Sequence, residues 1–185
     1  FNQRLANTPC DNHCKNIIQI YSSFLFRVKA SRDFGGMQDE ASLESFLKDA
    51  DLEGNSFTTV MKQAQNYASI YGHCFLILDK PAVQTNTKAE ELEQEIRPYV
   101  SMVTPENVLD WNFERQVNGK YELNYLKIRE EVDKSGGSYM RLWFPDRVDT
   151  IYVEDIGTEP TLIDTATNQI GKIPAVILYN AKSHK

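Results

Sequence analysis

The apolar residues between Phe57 and Tyr71 recur every three or four positions, a spacing that places them on one face of a predicted α-helix. The next segment, HCFLILD at residues 73–79, is a short and nearly continuous apolar run, typical of a buried β-strand. Gly72 separates the two patterns, and glycine is the residue type that most readily ends a helix in the left-handed conformation. The pattern therefore predicts a helix, a glycine stop and a core strand in direct succession.

Three helices are predicted in the first part of the chain. The first begins near Thr8, which can cap it, in the segment TPCD, and ends at Gly35-Gly36. Its apolar stripe consists of Ile17, Tyr21, Phe24 and Val28, with Ile18 and Leu25 beside it. The second is short, from about Glu40 to Asp49, and its apolar side consists of Leu43, Phe46 and Leu47. The third is the Phe57–Tyr71 helix, with Asn55 or Ser56 as its cap.

After Pro81 the pattern changes to a polar segment and then to strands. Residues 82–98, which include the acidic run AEELEQE, are predicted to form a linker. From residue 99 the strand candidates are YVSMVT, VLDWNFERQV, KYELNYLKIREEV, SYMRLWF, VDTIYVED and IPAVILYN. Asn118-Gly119 predicts a hairpin turn, and KSGG predicts a second one. The phase of apolar positions shifts after Tyr125, which indicates either a bulge or burial on both faces of the strand.

The fold class predicted from this order is α+β, with N-terminal helices packed on an antiparallel, hairpin-rich β-sheet. The expected organisation is a helical part at residues 1–81 that ends in a core strand, the linker at 82–98, and an antiparallel β part at 99–185. Together these parts are expected to form one domain. Because the chain starts at Phe1 and stops just after an apolar strand, we expect it to be part of a longer polypeptide.

Composition and charge narrow the class of protein. The chain is 41% hydrophobic and carries a net charge of -6, which favours a folded protein and argues against a surface that neutralises nucleic-acid phosphates. The charge is uneven along the sequence. The basic residues of the first 36 positions are Arg4, Lys15, Arg27, Lys29 and Arg32, and the acidic residues of positions 37–55 are Asp39, Glu40, Glu44, Asp49, Asp51 and Glu53. These segments are either solvated faces or an electrostatic contact between subunits.

The number of cysteines and the length of the apolar runs indicate the cellular compartment of the protein. An odd number of cysteines, Cys10, Cys14 and Cys74, without a signal peptide indicates a reducing, intracellular environment. No apolar run approaches the roughly 18 residues of a membrane span. We therefore expect no membrane association.

Two constellations resemble metal sites, and each lacks an essential element. The segment Asp49–Gly54 imitates the start of a calcium loop, but position 12 is Val60 instead of a bidentate carboxylate. Cys10, His13 and Cys14 have no converging fourth zinc ligand, because the apolar strand around Cys74 favours packing. The sequence contains no Asp/Glu-x-Lys triplet and no phosphate-loop glycine motif. No catalytic residue, cofactor or metal is predicted.

Trp111 and Trp143 are the largest side chains of the strand region, and each has two possible roles. Either tryptophan can pack between the sheet and the helices, or it can anchor a subunit interface, where aromatic residues concentrate binding energy. Both are retained as interface candidates, together with Arg27, Lys29 and Arg32.

Four stretches resemble the portal, or head-to-tail connector, proteins of tailed bacteriophages. IYSSFLFRV is similar to the Y-x-x-x-L-F-G end of an early portal helix, with Arg27 in place of the glycine. QAQNYASIYGHCFLILDKP resembles the helix, Tyr-Gly and strand segment of the family. VSMVTPENVLDWNFERQVNGKYELNYLKIREEV resembles its proline turn, apolar-Asp-Trp strand and hairpin. GKIPAVILYN is similar to the segment before the first channel helix.

The resemblance implies a function as well as a fold. The chain would be the N-terminal part of the outer, wing-like region of a portal, in a self-assembled ring of typically twelve subunits at one capsid vertex. The implied partners are the major capsid protein, the terminase motor, neck or adaptor proteins, and double-stranded DNA that passes through with weak contact. The implied location is the virion, and the host cytoplasm during assembly. The resemblance implies no catalysis and no cofactor.

Two other functions stay open at the level of sequence. One is a structural or scaffold component of a phage particle or cellular complex without a channel. The other is an enzyme fragment whose active-site residues lie elsewhere, of which a metal-dependent nuclease is the leading example. A continuation into a long helix, a clip hairpin and a second long helix would distinguish a portal from the first alternative, and metal titration with a nuclease assay would test the second.

Overall fold

The computed structural model describes residues 13–37, 40–81, 87, 90, 94, 96–155 and 157–181. Its helices are α1 (His13–Leu25), α2 (Ala41–Lys48) and α3 (Phe57–Tyr71), with a short 3-10 turn at Gly35–Met37. Its strands are β1 (His73–Asp79), β2 (Tyr99–Val103), β3 (Val108–Arg115), β4 (Tyr121–Val132), β5 (Ser138–Trp143), β6 (Arg147–Val153), β7 (Thr161–Thr167) and β8 (Ala175–Tyr179). The α+β class predicted from the sequence is confirmed.

The elements form layers around the central strand β1. An antiparallel three-stranded sheet has the order β2-β1-β8, and an antiparallel five-stranded sheet has the order β3-β4-β5-β6-β7. Successive β1 side chains point to opposite faces, as strand geometry requires. Cys74 packs on Ala64 and Ala68 of α3, whereas Phe75 and Ile77 belong to the core shared with the five-stranded sheet. The three-stranded sheet therefore lies between the helices and the second sheet.

The helix, glycine and strand predicted from the sequence are confirmed residue by residue. Ser56 is the cap of α3, because its hydroxyl accepts a hydrogen bond from the Thr59 N–H at 3.3 Å. Gly72 ends the helix in the left-handed conformation with φ 87°, and its carbonyl accepts a bond from Asn180 N–H at 3.0 Å. This conformation reverses the chain, so that β1 runs directly beneath the helix that precedes it.

Replacing Gly72 by alanine is expected to lower the free energy of unfolding by about 1–2 kcal/mol, because an L side chain is strained in the left-handed region. The matched control is Gly36→Ala, since Gly36 has no positive φ and a Cβ there would meet no atom within 4 Å. Urea denaturation of the two variants tests the expectation. Equal stability of the two alanine variants would contradict it.

The five-stranded sheet is a meander of hairpins, and the predicted turns and bulge are present. Gly119 and Gly136 lie in the two turns with φ 81° and 97°. Asn112 pairs with Tyr125 whereas Phe113 pairs with Leu123, so that Asn124 is the extra residue of a bulge in β4. The bulge explains the shift of apolar phase in this strand.

Two features of the strand region differ from the prediction. The single predicted sheet is two sheets, because β1 pairs with β2 and β8 instead of extending the meander. The sequence pattern also missed β7, whose segment TLIDTAT is exposed at nearly every position and has no buried face to produce alternation. The division of the chain at residues 81 and 99 stays a prediction.

The helix α1 also differs from the prediction. The predicted start at residues 8–11 lies outside the described residues, and the helix ends at Leu25 instead of continuing to Gly35-Gly36. In the segment that follows, the Arg32 guanidinium lies 5.2 Å from the centre of the Phe57 ring and donates a hydrogen bond to the Thr58 hydroxyl at 3.2 Å. These contacts fix the segment at the start of α3.

The turn between β4 and β5 is organised by a single carboxylate. Asp133 Oδ1 accepts hydrogen bonds from the Ser135 N–H at 2.8 Å, the Ser135 hydroxyl at 2.6 Å and the Gly137 N–H at 2.9 Å. Its Oδ2 accepts one from the Tyr152 hydroxyl at 2.6 Å. These bonds, led by those from Ser135 and Tyr152, lower the pKa of Asp133 to about 2. Gly137 is required here, because a Cβ would lie 2.1 Å from the Tyr152 hydroxyl oxygen.

This lowered pKa predicts an acid-dependent loss of stability. A folded-state pKa of about 2, below the ordinary 3.8, means that the carboxylate stabilises the fold fully above about pH 4 and progressively less as the pH falls towards 2. The melting temperature of Asp133→Asn is therefore expected to lie below that of the wild type at pH 5 and to approach it at pH 2. Asp164→Asn, at an exposed position of β7, is the control. A difference that persists unchanged at pH 2 would contradict this assignment.

Candidate interaction surfaces

The acid-rich loop that imitates a calcium site uses its carboxylates to hold its own turn. Asp49 Oδ1 accepts from the Gly54 N–H at 2.9 Å, and its Oδ2 forms an ion pair with Arg97 at 2.5 Å. Asp51 accepts from the Glu53 and Asn55 N–H groups at 3.0 and 3.2 Å. Burial is the largest single influence on the pKa of Asp51 and acts to raise it. The hydrogen bonds from Asn55 and Glu53 together outweigh burial, so that the pKa of Asp51 is lowered. The loop therefore serves as a structural turn between α2 and α3.

The cysteine and histidine candidates do not converge on a metal site in the described residues. Cys74 is buried against α3, where its Sγ donates to the Ala64 carbonyl at 3.3 Å, and burial raises the pKa of its thiol. Cys14 lies exposed on α1, and Cys10 is outside the described residues. In the part of the chain that the structure describes, no three His, Cys, Asp or Glu side chains are grouped so as to hold a metal ion.

A charged group connects the two sheets. Arg141 on β5 forms ion pairs with Asp79 of β1 at 2.7 Å and with Glu130 of β4 at 3.0 Å. The Tyr99 hydroxyl donates a hydrogen bond to the same Asp79 carboxylate at 3.3 Å. The pKa of Tyr99 is raised, mainly by burial and secondly by the negative charge of Asp79. The group borders a cavity of about 230 Å³, which is also lined by the core residue Trp143. Because one arginine satisfies both carboxylates, the group is suited to fixing the sheets relative to each other.

The two tryptophans have different environments. Trp143 is 4% exposed and packs in the core between the sheets. Its side chain is therefore not accessible to a neighbouring subunit. Trp111 is 42% exposed on the edge strand β3 and packs against Phe75 and His73, with ring centres 5.8 and 5.9 Å apart. The ring of Tyr179 lies 6.2 Å from that of His73. We call Trp111, His73 and Tyr179 the aromatic surface.

The basic interface candidates also separate into two kinds. Arg27 and Lys29 are exposed, whereas Arg32 is half-buried and holds the start of α3 through the contacts given above. Part of the acidic segment expected to meet them in a neighbour is engaged within the chain: Glu44 pairs with Lys48 at 2.8 Å, and Asp49 and Asp51 hold their loop. Glu40 and Glu53 are exposed, and Asp39 lies outside the described residues.

The predicted apolar stripe of α1 faces solvent. Its buried side, turned towards the rest of the fold, is narrow and centres on Ser22, with Ile18 and Phe26 half-buried. Leu25 is exposed as well, and the exposed apolar residues that follow one line, which we call the α1 stripe, are Ile17, Ile20, Tyr21, Phe24 and, just after the helix, Val28. A contiguous apolar patch of this kind on a folded chain marks a site of contact with another surface.

A comparison with protein-family models identifies the class of this chain. A model of structural proteins of tailed bacteriophages matches residues 5–185, which is nearly the whole sequence. The chain belongs to that family, described as phage portal protein, SPP1 Gp6-like, and the resemblance noted in the sequence is confirmed. Proteins of this family are virion components that function in DNA packaging and in the head-to-tail connection. A search of curated proteins found no match to this chain.

None of the helices in the described residues is both long enough and apolar enough to cross a bilayer. The location that the family implies is the capsid of the virion.

Proposed function

We propose that this chain is the wing-like part of a portal subunit, and that copies of it form a ring, typically of twelve, at one capsid vertex. In this function the ring is the conduit for genome packaging and ejection. It is also the platform on which the terminase motor and the neck or adaptor proteins dock, within the shell of the major capsid protein. Assembly takes place in the host cytoplasm. The observation that carries the proposal is the family match over residues 5–185.

The charge of the chain supports a conduit in which DNA makes weak contact. A chain with a net charge of -6 neutralises few DNA phosphates. Few counterions are then released from the DNA, and binding gains little free energy from their release. The packing observed for the candidate metal and acid–base residues is consistent with a structural protein. The alternative of a metal-dependent nuclease fragment predicts heat on titration with Mg²⁺ and cleavage of a DNA substrate. No heat of Mg²⁺ binding and no DNA cleavage would support the structural function.

The main experiment is negative-stain microscopy and native mass spectrometry of the full-length protein. A toroid with a central hole and a mass that is an integral multiple of the subunit mass is expected. A monomeric protein at high concentration would overturn the proposal, and a closed complex without a hole would favour a scaffold component.

Charge reversal of the basic segment tests its part in assembly. The double variant Arg27→Glu/Lys29→Glu is expected to weaken ring formation, because both side chains are exposed and available to a neighbour. Arg32→Glu is tested separately, since loss of its contact with Phe57 disturbs the fold as well. Native mass spectrometry with unchanged ring populations for the double variant would eliminate the basic segment as an interface.

A further inference from the structure

The α1 stripe is an apolar surface without a partner among the described residues. Phe24 is 69% exposed and Tyr21 is 73% exposed, although aromatic side chains gain most from burial. The stripe runs along one side of the helix, and the exposed cations Arg27 and Lys29 follow directly at its end. A partner for it must therefore be apolar at its centre and acidic at its border.

The aromatic surface has these properties. Trp111 and Tyr179 flank His73, and Tyr179 is 57% exposed. Phe113 also lies partly exposed on the same side of β3 as Trp111. The exposed Glu106 lies at the border, where its hydrogen bond with the Tyr71 hydroxyl raises the pKa of that tyrosine.

The two surfaces cannot meet within one chain. The α1 helix packs on α3, α3 packs on one face of the three-stranded sheet, and Trp111 contacts Phe75 on the other face of that sheet. One helix layer and one sheet layer thus separate them. Two different surfaces that fit each other on separate copies form a heterologous contact, and such contacts form a ring when the rotation from copy to copy closes.

We propose that the α1 stripe of one copy docks on the aromatic surface of the next copy, with Arg27 and Lys29 facing Glu106. The inference rests on the proposed function, because it names the interface through which the wing region joins its neighbour in the ring. It names Glu106 as the counterpart of the basic residues in place of the acidic segment 37–55, because that segment packs on the helix side of the three-stranded sheet, away from the aromatic surface. The aromatic residues would supply most of the binding energy, and the charges would set the register.

Site-specific photo-crosslinking in the full-length protein tests this contact. Phe24 is replaced by p-benzoylphenylalanine, with Ile20 as a second position, since both side chains are exposed and tolerate the larger group. Ile163 on β7, 55% exposed, is the control position. After irradiation, mass spectrometry of the cross-linked dimer is expected to identify partner peptides that contain residues 106–113 or 175–180 for the α1 positions, and other peptides for Ile163.

A charge swap provides an independent measurement. Arg27→Glu and Glu106→Arg are each expected to weaken ring assembly roughly two- to fivefold, and the double variant is expected to restore it, because an exposed ion pair contributes on that scale.

The outcomes distinguish this contact from the proposed function. Rings that cross-link at another surface, or a swap without restoration, overturn the contact and leave the ring intact. Absence of rings in the wild-type protein counts against the proposed function and against this contact with it.

Discussion

Phe75→Ala is expected to lower the free energy of unfolding by about 3–5 kcal/mol, the largest effect among the substitutions considered for this chain. Phe75 is fully buried between the two sheets, and its ring meets that of Trp111 edge-on. Truncation would leave a cavity at the junction of both sheets, since its neighbours belong to strands that hydrogen bonding holds in place. Urea denaturation followed by circular dichroism measures the loss.

The conservative variant Phe75→Leu should lose less than half as much, because most of the volume is retained. Leu162→Ala serves as the control, as Leu162 is an exposed apolar residue of β7 and should change stability by no more than about 0.5 kcal/mol. A loss for Phe75→Ala as small as that of the control would show that the two sheets do not share a tightly packed core.

Arg141→Ala is expected to cost about 2–3 kcal/mol, the second largest effect. Its removal leaves the carboxylates of Asp79 and Glu130 unpaired, and these side chains are only 21% and 33% exposed. A fully buried pair broken in this way costs about 3–5 kcal/mol, and the partial exposure reduces that value. Denaturation curves at pH 7 provide the measurement.

Two further variants show that unpaired carboxylates cause the loss. Lys48→Ala breaks the ion pair with Glu44, both of whose side chains are largely exposed, and should have little effect. The triple variant Arg141→Met/Asp79→Asn/Glu130→Gln should regain much of the stability, because no charge is left without a partner. If Arg141→Ala is as stable as Lys48→Ala, the group does not connect the sheets energetically.

The parts of the fold that the sequence predicted are those specified by local signals. The helix–glycine–strand unit around Gly72 was predicted to the residue, because helical spacing, a cap and a left-handed stop all lie within adjacent positions. The turn at Asn118-Gly119 was predicted for the same reason. The shift of apolar phase in β4 identified a bulge, since an extra residue reverses the side of every following side chain.

The remaining parts depend on contacts between distant segments. Nothing local indicates that β1 pairs with β2 and β8 in a sheet separate from the meander, because register over such distances is set by packing. The segment after α1 is placed against α3 by the contact of Arg32 with Phe57, for which a helical pattern offers no signal. The ion pairs of Arg141 join three strands and likewise have no signature in sequence.

The sequence could not separate the two tryptophan candidates for a similar reason. The segments around Trp111 and Trp143 are both short strand patterns, and only the strand order distinguishes them. Trp143 lies on β5 inside the sheet, opposite Leu126, whereas Trp111 lies on the edge strand β3. The α1 stripe was visible as a periodic pattern, but periodicity does not indicate whether the partner belongs to the same chain or to another.

The placement of β1 between β2 and β8 also determines the order in which this protein can fold during its synthesis. The ribosome releases β1 early, but β8, the strand that pairs with its second edge, is made only after the whole meander has emerged. Non-local pairing of this kind is slow, and until it occurs one edge of an apolar strand can pair with other nascent chains. The meander, whose hairpins are local, is therefore expected to form before the three-stranded sheet is complete.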